Sequence, residues 1–299
     1  MSLPEPRTAV GAQALQKIID SPGDTLIALD FDGTLAPIVD DPERAYADPA
    51  AVAALGRLGE RVGAIVVITG RPVRTAVRLG GFNAVTGLGS MVVLGQYGVE
   101  RWNAAGDSYV LPPEPDEIVA VAEEIPPLLA SLGLAKARVE HKGRAVGVHT
   151  RTLADPAQAF GNLEAPIRAL AERHGLRVEP GKNVWEIRAS GVDKGASLRS
   201  MVAETGARQV VFAGDDLGDL PAFEAVRALR AEGLPGLLVC SASYEEDALV
   251  AISDVILDGT AGVADWLGAL ADAIDAAGRP SLREARLRSA GDTPGFDRW

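Results

Sequence analysis

Three apolar runs in this chain stop abruptly at polar residues: "TLIALDFDGTL" (25–35), "VGAIVVITGR" (62–71) and "RQVVFAGDDLGD" (208–219). A strand that is apolar at every position, not at alternate ones, has both faces buried, which is the pattern of a parallel sheet covered by helices on both sides. The segments between fit that reading. "DPAAVAALGRLGER", "RPVRTAVRLG" and "DKGASLRSMVAETG" have helical spacing, and the last closes on a C-terminal Gly. "GLLVC" and "DVILD" read as further core strands and "TAGVADWLGALADAIDAAG" as a closing helix. The expected fold is α/β, a Rossmann-like parallel sheet with helical crossovers.

The middle of the chain reads differently. "YGVERWN", "DSYVL", "ARVEHK", "RAVGVHTRT" and "LRVEPGKNVWEIR" alternate polar with apolar, as half-exposed antiparallel strands do. Two helical stretches, "PDEIVAVAEEIPPLLASLG" and "DPAQAFGNLEAPIRALAERHG", lie among them. The expectation is a smaller α/β module over 109–190, inserted into a core made of 1–108 and 191–299. The stretch 279–299 has no clear period and is expected to be a mobile tail.

Whole-chain properties exclude several functions. The 299 residues are enough for two ordinary domains, and 47% hydrophobic residues with mean hydropathy +0.11 supply ample core. A net charge of −12 argues against nonspecific nucleic-acid binding and against anionic membrane surfaces. No aromatic and basic residues interleave as a nucleic-acid platform requires. No apolar run reaches membrane-spanning length, and the N-terminus lacks the basic and apolar regions of a signal peptide. The lone Cys240 excludes an intrachain disulfide framework and fits a reducing compartment. A cytoplasmic protein is expected, monomeric by default. His141, His149 and His174 lack metal-ligand spacing, and "GLGSMVVLG" precedes a strand instead of joining a strand to a helix, so it is no dinucleotide fingerprint.

Ligands of open parallel sheets bind beyond the carboxyl ends of the strands. Asp30 and Asp32, Thr69, and Asp215 with Asp216 fall at those ends. Carboxylates without His or Cys point to a hard cation such as Mg²⁺, which pairs the like charges and is a usual partner of phosphate. One Asp can attack phosphorus, and a second can protonate the leaving oxygen and later deprotonate water. Thr69 can hydrogen-bond a phosphoryl oxygen. Lys194 at a helix start supplies a cation for an anionic substrate.

The motifs "DFDGTL", "ITGR", the Lys of "DKGASL" and "GDDLGD" resemble, in order, the four motifs of the haloacid dehalogenase superfamily, with an insert where its C2-type caps sit. "GQYGVE", "VEHKGRAVGVHTR", "GKNVWEIRASGVDKGASL" and "FAGDDLGDLPAF" resemble the trehalose-6-phosphate phosphatase family. The resemblance implies a Mg²⁺-dependent phosphatase whose substrate is a small sugar phosphate, trehalose 6-phosphate first. The alternatives are another sugar or glycosyl-glycerate phosphate, or a silent homologue that only binds a phosphosugar. It implies Asp30 as nucleophile and metal ligand, Asp32 as acid/base with its carbonyl on the metal, and Asp215 as third ligand. Asp216 and Asp219 would support the metal. Thr69, Gly70, Arg71 and Lys194 would hold phosphate, and Glu140, Lys182 and Glu186 would contact sugar hydroxyls; Lys142 and Arg151 stand between sugar contact and plain sheet surface. Two departures stand out. Tyr97 occupies the place of a His, and Gly218 and Leu220 replace the family's usual Thr and Glu.

Overall fold

In strand β1 (Thr25–Leu29), Ile27 and Leu29 join one cluster of buried side chains while Leu26 and Ala28 join another. Alternate residues of a strand point to opposite faces, so a run apolar throughout fills two cores. The computed structural model describes residues 3–181, 183–189, 192–242 and 247–278. Lys182 and the expected tail at 279–299 lie outside the described residues.

Further strands along the chain are β2 (Ala64–Ile68), β3 (Met91–Gly95), β4 (Glu100–Asn103), β5 (Ser108–Val110), β6 (Arg138–His141) and β7 (Ala145–His149). After them come β8 (Arg177–Gly181), β9 (Val184–Arg188), β10 (Gln209–Gly214), β11 (Gly236–Ala242) and β12 (Val255–Asp258). The larger sheet has the order β12-β11-β10-β1-β2-β3-β4-β5. It is parallel from β12 to β3, and β4 and β5 add an antiparallel edge. The chain leaves β1 toward β2 and β3, then returns on the other side of β1 at β10. That reversal makes a crevice between the carboxyl ends of β1 and β10, a topological switch point.

Helices α1 (Ala9–Asp20), α2 (Pro49–Gly59) and α3 (Val73–Gly80) cover one face. The small module carries α4 (Asp116–Ser131) and α5 (Pro156–Arg173). Helices α6 (Lys194–Thr205), α7 (Leu220–Ala231) and α8 (Asp247–Ile252) cover the opposite face of the large sheet, and α9 (Gly259–Ala277) packs beside α1 and α2. Among the described residues no helix is long and apolar enough to cross a membrane.

"YGVERWN" and "DSYVL" belong to the edge of the large sheet, and the expected boundary at 109 passes through β5. An edge strand of the core has one exposed face, so it carries the same alternation as a strand of the insert. The insert's own sheet is β6-β7-β9-β8, antiparallel throughout. One face packs Val146, Val148, Trp185 and Ile187 against Ile118 and Val121 of α4 and Leu163 and Ile167 of α5. The other face is polar. Across it Glu140, Gly147, Glu186 and Glu179 stand in register on four adjacent strands.

Candidate active site

Each polar terminus of the core strands turns into the crevice for a local reason. The Asp30 amide continues the ladder by donating to Ala213 O at 2.8 Å, which seats Asp30 against β10. Gly33 follows with φ +74°, and a Cβ there would lie 1.9 Å from an Asp215 carboxylate oxygen. Only glycine lets the β1 loop pass that close to the end of β10. Asp216 caps the following turn, accepting from the Gly218 amide at 2.9 Å. Asp219 points back beneath it: its Oδ2 accepts from the Asp215 amide at 2.9 Å and the Asp216 amide at 3.3 Å.

Lys194 opens α6, whose N-cap Asp193 accepts from the Ala196 amide at 2.8 Å. Its buried Nζ donates to Asp30 Oδ1 at 2.5 Å and Asp219 Oδ1 at 2.7 Å. Burial works against the ammonium, but Asp219 and Asp30 outweigh it and hold its pKa well above the ordinary value. One lysine does not neutralise the cluster. Burial pushes the Asp30 carboxyl up despite Lys194, with Asp219, Asp215 and Asp216 adding to the rise. Burial and the charges of Asp219 and Asp216 push Asp215 up to about 8.

The site therefore lacks positive charge, and it has a place for it. Single carboxylate oxygens of Asp30, Asp215 and Asp219 lie within 4.8 Å of one another, all buried. Asp215 Oδ1 is buried with no hydrogen-bond partner. A buried acceptor left bare costs about 1–3 kcal/mol, more when charged. An all-oxygen trio with a bare oxygen fits a hard divalent cation. Both oxygens of Asp219 already accept hydrogen bonds, which leaves Asp30 and Asp215 as the more open donors.

Asp32, two residues after Asp30, turns its carboxylate elsewhere. Arg71 grips it with both ends of the guanidinium, Nε to Oδ2 at 2.7 Å and Nη2 to Oδ1 at 2.6 Å, and anchors its Nη1 on Pro42 O at 2.8 Å. Thr69 is buried, and its hydroxyl accepts from the Arg71 amide at 3.1 Å. A cleft of about 540 Å³ opens above these groups. Asp30, Asp32, Thr69, Gly70, Arg71, Lys194, Asp215 and Asp216 border it from the core, and Arg138, Glu140, Lys142, His149 and Arg151 border it from the insert. The structure thus brings the core residues singled out in the sequence to one cleft, with Asp219 directly below.

The insert is less uniform. Glu140 faces the cleft, paired with His149 Nε2 at 2.8 Å. That hydrogen bond, helped by Lys142, draws its pKa down to about 2 although burial opposes it. Glu186 is engaged elsewhere: Lys142 Nζ donates to its Oε2 at 2.5 Å and Tyr97 Oη to its Oε1 at 3.3 Å. Lys182 lies outside the described residues. Lys142 carries the stronger claim to the cleft, and its position two residues after Glu140 on the polar face was the available signal.

This fold, a mostly parallel sheet with an α/β insert above its switch point, is shared with a haloacid dehalogenase-like hydrolase. That hydrolase, from Bacteroides thetaiotaomicron, superposes with TM-score 0.57 at 18% identity, over 81% of this chain and 98% of that one. The chain belongs to the trehalose-phosphatase family, whose sequence profile matches residues 28–250. It is 32% identical over 256 residues to the trehalose-phosphate phosphatase of Mycobacterium avium (strain 104), covering 83% of this chain but 62% of that protein. The C-terminal domain of the Candida albicans trehalose-6-phosphate phosphatase has the same fold, with TM-score 0.68 at 20% identity over 91% of this chain and 99% of that one.

Proposed function

We propose that this chain hydrolyses trehalose 6-phosphate to trehalose and phosphate, with Mg²⁺ as its cation. The observation that carries the reading is the bare Asp215 oxygen beside Asp30 in a buried acidic trio at the switch point. Family membership and the mycobacterial relative support the substrate class.

Asp30 and Asp215 would hold the cation, with the Asp32 carbonyl and with Asp216 and Asp219 in support. Bound there, the cation would neutralise the carboxylates and draw electron density from a phosphoryl oxygen. The remaining steps belong to the chain. Lys194 and the hydroxyl of Thr69 bind phosphoryl oxygens, and Gly70 and Arg71 border them. An Asp30 oxygen attacks phosphorus in line; the bond from phosphorus to the sugar oxygen breaks, and Asp32 gives that oxygen its proton. Asp32 then takes a proton from water as the water oxygen bonds phosphorus and the Asp30–phosphorus bond breaks. The Arg71 fork holds both Asp32 oxygens in this structure, so Asp32 enters the first transfer protonated on an oxygen freed from the fork and regains that proton from the attacking water. Glu140 and Lys142 receive sugar hydroxyls, and Glu186 acts through Lys142. The lone cysteine supports a cytoplasmic setting, and a site drawn from one chain supports a monomer.

Phosphate release from trehalose 6-phosphate, glucose 6-phosphate, sucrose phosphate and p-nitrophenyl phosphate, each with Mg²⁺ or with EDTA, tests this. Magnesium-dependent release far greater from trehalose 6-phosphate is expected. Release from the aryl phosphate alone rejects the substrate and keeps the chemistry; release from none rejects both.

A further inference from the structure

Gln96 and Tyr97 are consecutive non-glycine residues in left-handed backbone, with φ 49° and 62°. Such conformations are costly and persist where the surroundings hold them. Here the surroundings are the phosphate end of the site. The Tyr97 amide donates to Thr69 O at 2.9 Å, and the Tyr97 carbonyl accepts from Ser197 Oγ at 2.6 Å, one turn after Lys194 in α6. Gly70 is bare on the side where Tyr97 passes; a Cβ there would lie 2.8 Å from the phenol oxygen.

From this turn both side chains reach into the insert. Gln96 Nε2 donates to Lys142 O at 2.9 Å. Tyr97 Oη donates to Glu186 Oε1, while Arg188 stacks its guanidinium 4.2 Å above the phenol ring and is itself paired with Glu179. Burial and the adjacent Glu186 charge hold the phenol well above its ordinary pKa, so it stays a donor. Glu186 in turn holds the Lys142 ammonium that borders the cleft.

We propose that Gln96 and Tyr97 form a latch: the turn that hangs on Thr69 and Ser197 holds the insert down and, through Glu186, positions Lys142 for the sugar. Tyr97 is then a positioning residue for sugar selection. The latch itself rests on the contacts above; its effect on sugar selection rests on the proposed phosphatase reading.

The test compares the 299-residue chain with its Tyr97→Phe, Glu186→Gln and doubly substituted variants, on trehalose 6-phosphate and p-nitrophenyl phosphate. In Tyr97→Phe the ratio of kcat/KM for the sugar phosphate to that for the aryl phosphate should fall about tenfold, mainly through KM, the scale of one hydrogen bond to a charged group. The double variant should lose no more than the worse single variant, because both changes open the same link. An unchanged ratio, or losses that simply add, overturns the proposal. Amide hydrogen exchange without ligand reads the latch apart from any substrate: exchange over 96–98 and 140–149 should quicken in Tyr97→Phe and Gln96→Ala. Unchanged exchange overturns the latch even if the enzyme proves to be a trehalose 6-phosphate phosphatase. Quickened exchange in a chain that releases no phosphate from trehalose 6-phosphate upholds the latch and rejects the substrate.

Discussion

At the switch point of the large sheet, Asp30, Asp215, Asp216 and Asp219 share one lysine. On the open face of the small sheet, Glu140 has His149, Glu186 has Lys142 and Glu179 has Arg188. The first arrangement is under-neutralised, with Asp30, Asp215 and Asp219 buried; in the second each carboxylate has its own partner on a half-exposed face. A buried excess of negative charge needs a cation or a proton to relieve it, whereas paired carboxylates leave their remaining hydrogen-bonding capacity for a ligand. That contrast supports the proposed division of labour, with an ion and a phosphate at the core and an uncharged, hydroxyl-rich group at the insert. Each region's charge pattern names what it lacks.

The largest break in this comparison comes from the core. Asp30→Asn replaces the carboxylate proposed to attack phosphorus and should lower turnover at least about a thousandfold on every phosphate ester, with the far-ultraviolet spectrum unchanged. Activity within tenfold of the original would remove Asp30 from the nucleophile's place. Next in size is the response of stability to pH. In the metal-free chain Asp215 sits at about 8, against an ordinary value of 3.8. Between those values the folded state binds more protons than the unfolded one, so stability is full at low pH and is lost as pH rises through 8. Melting of EDTA-treated protein should fall by at least about 5 °C from pH 5 to pH 8, and millimolar Mg²⁺ should restore it at pH 8. A flat metal-free profile would mean that the acidic trio is not under strain.

Much of the core was legible because a parallel strand leaves little freedom. Residues buried on both faces must be apolar, and the first polar residue marks the strand's end, so Asp30, Thr69 and Asp215 could be placed at one edge before any geometry was known. Contacts that join distant residues gave no such signal. The Arg71 fork on Asp32 spans 39 positions, and Tyr97 meets Glu186 across 89. Helix α1 also escaped, since few of its side chains are buried. Its N-cap Thr8 docks on the buried Asp254, 246 positions away. The insert read least clearly because a balanced polar face looks the same whether it meets sugar or water.

The smallest effect sharpens the insert's half of the comparison. Glu140 is held at about 2 by His149, below its ordinary 4.5. Here the unfolded state binds more protons between the two values, so the contribution is full above pH 4.5 and is lost as pH falls toward 2. That sign is opposite to the core's. Glu140→Gln should cost about 1 kcal/mol or less near neutral pH, as a partly exposed pair does, measured by urea unfolding. The difference between the two proteins should then shrink as pH falls below 4.5, because the original glutamate becomes as neutral as the glutamine. A difference that stays constant down to pH 3 would show that the pair contributes shape and not charge. The contrast with the core would then rest on Asp215 and its neighbours.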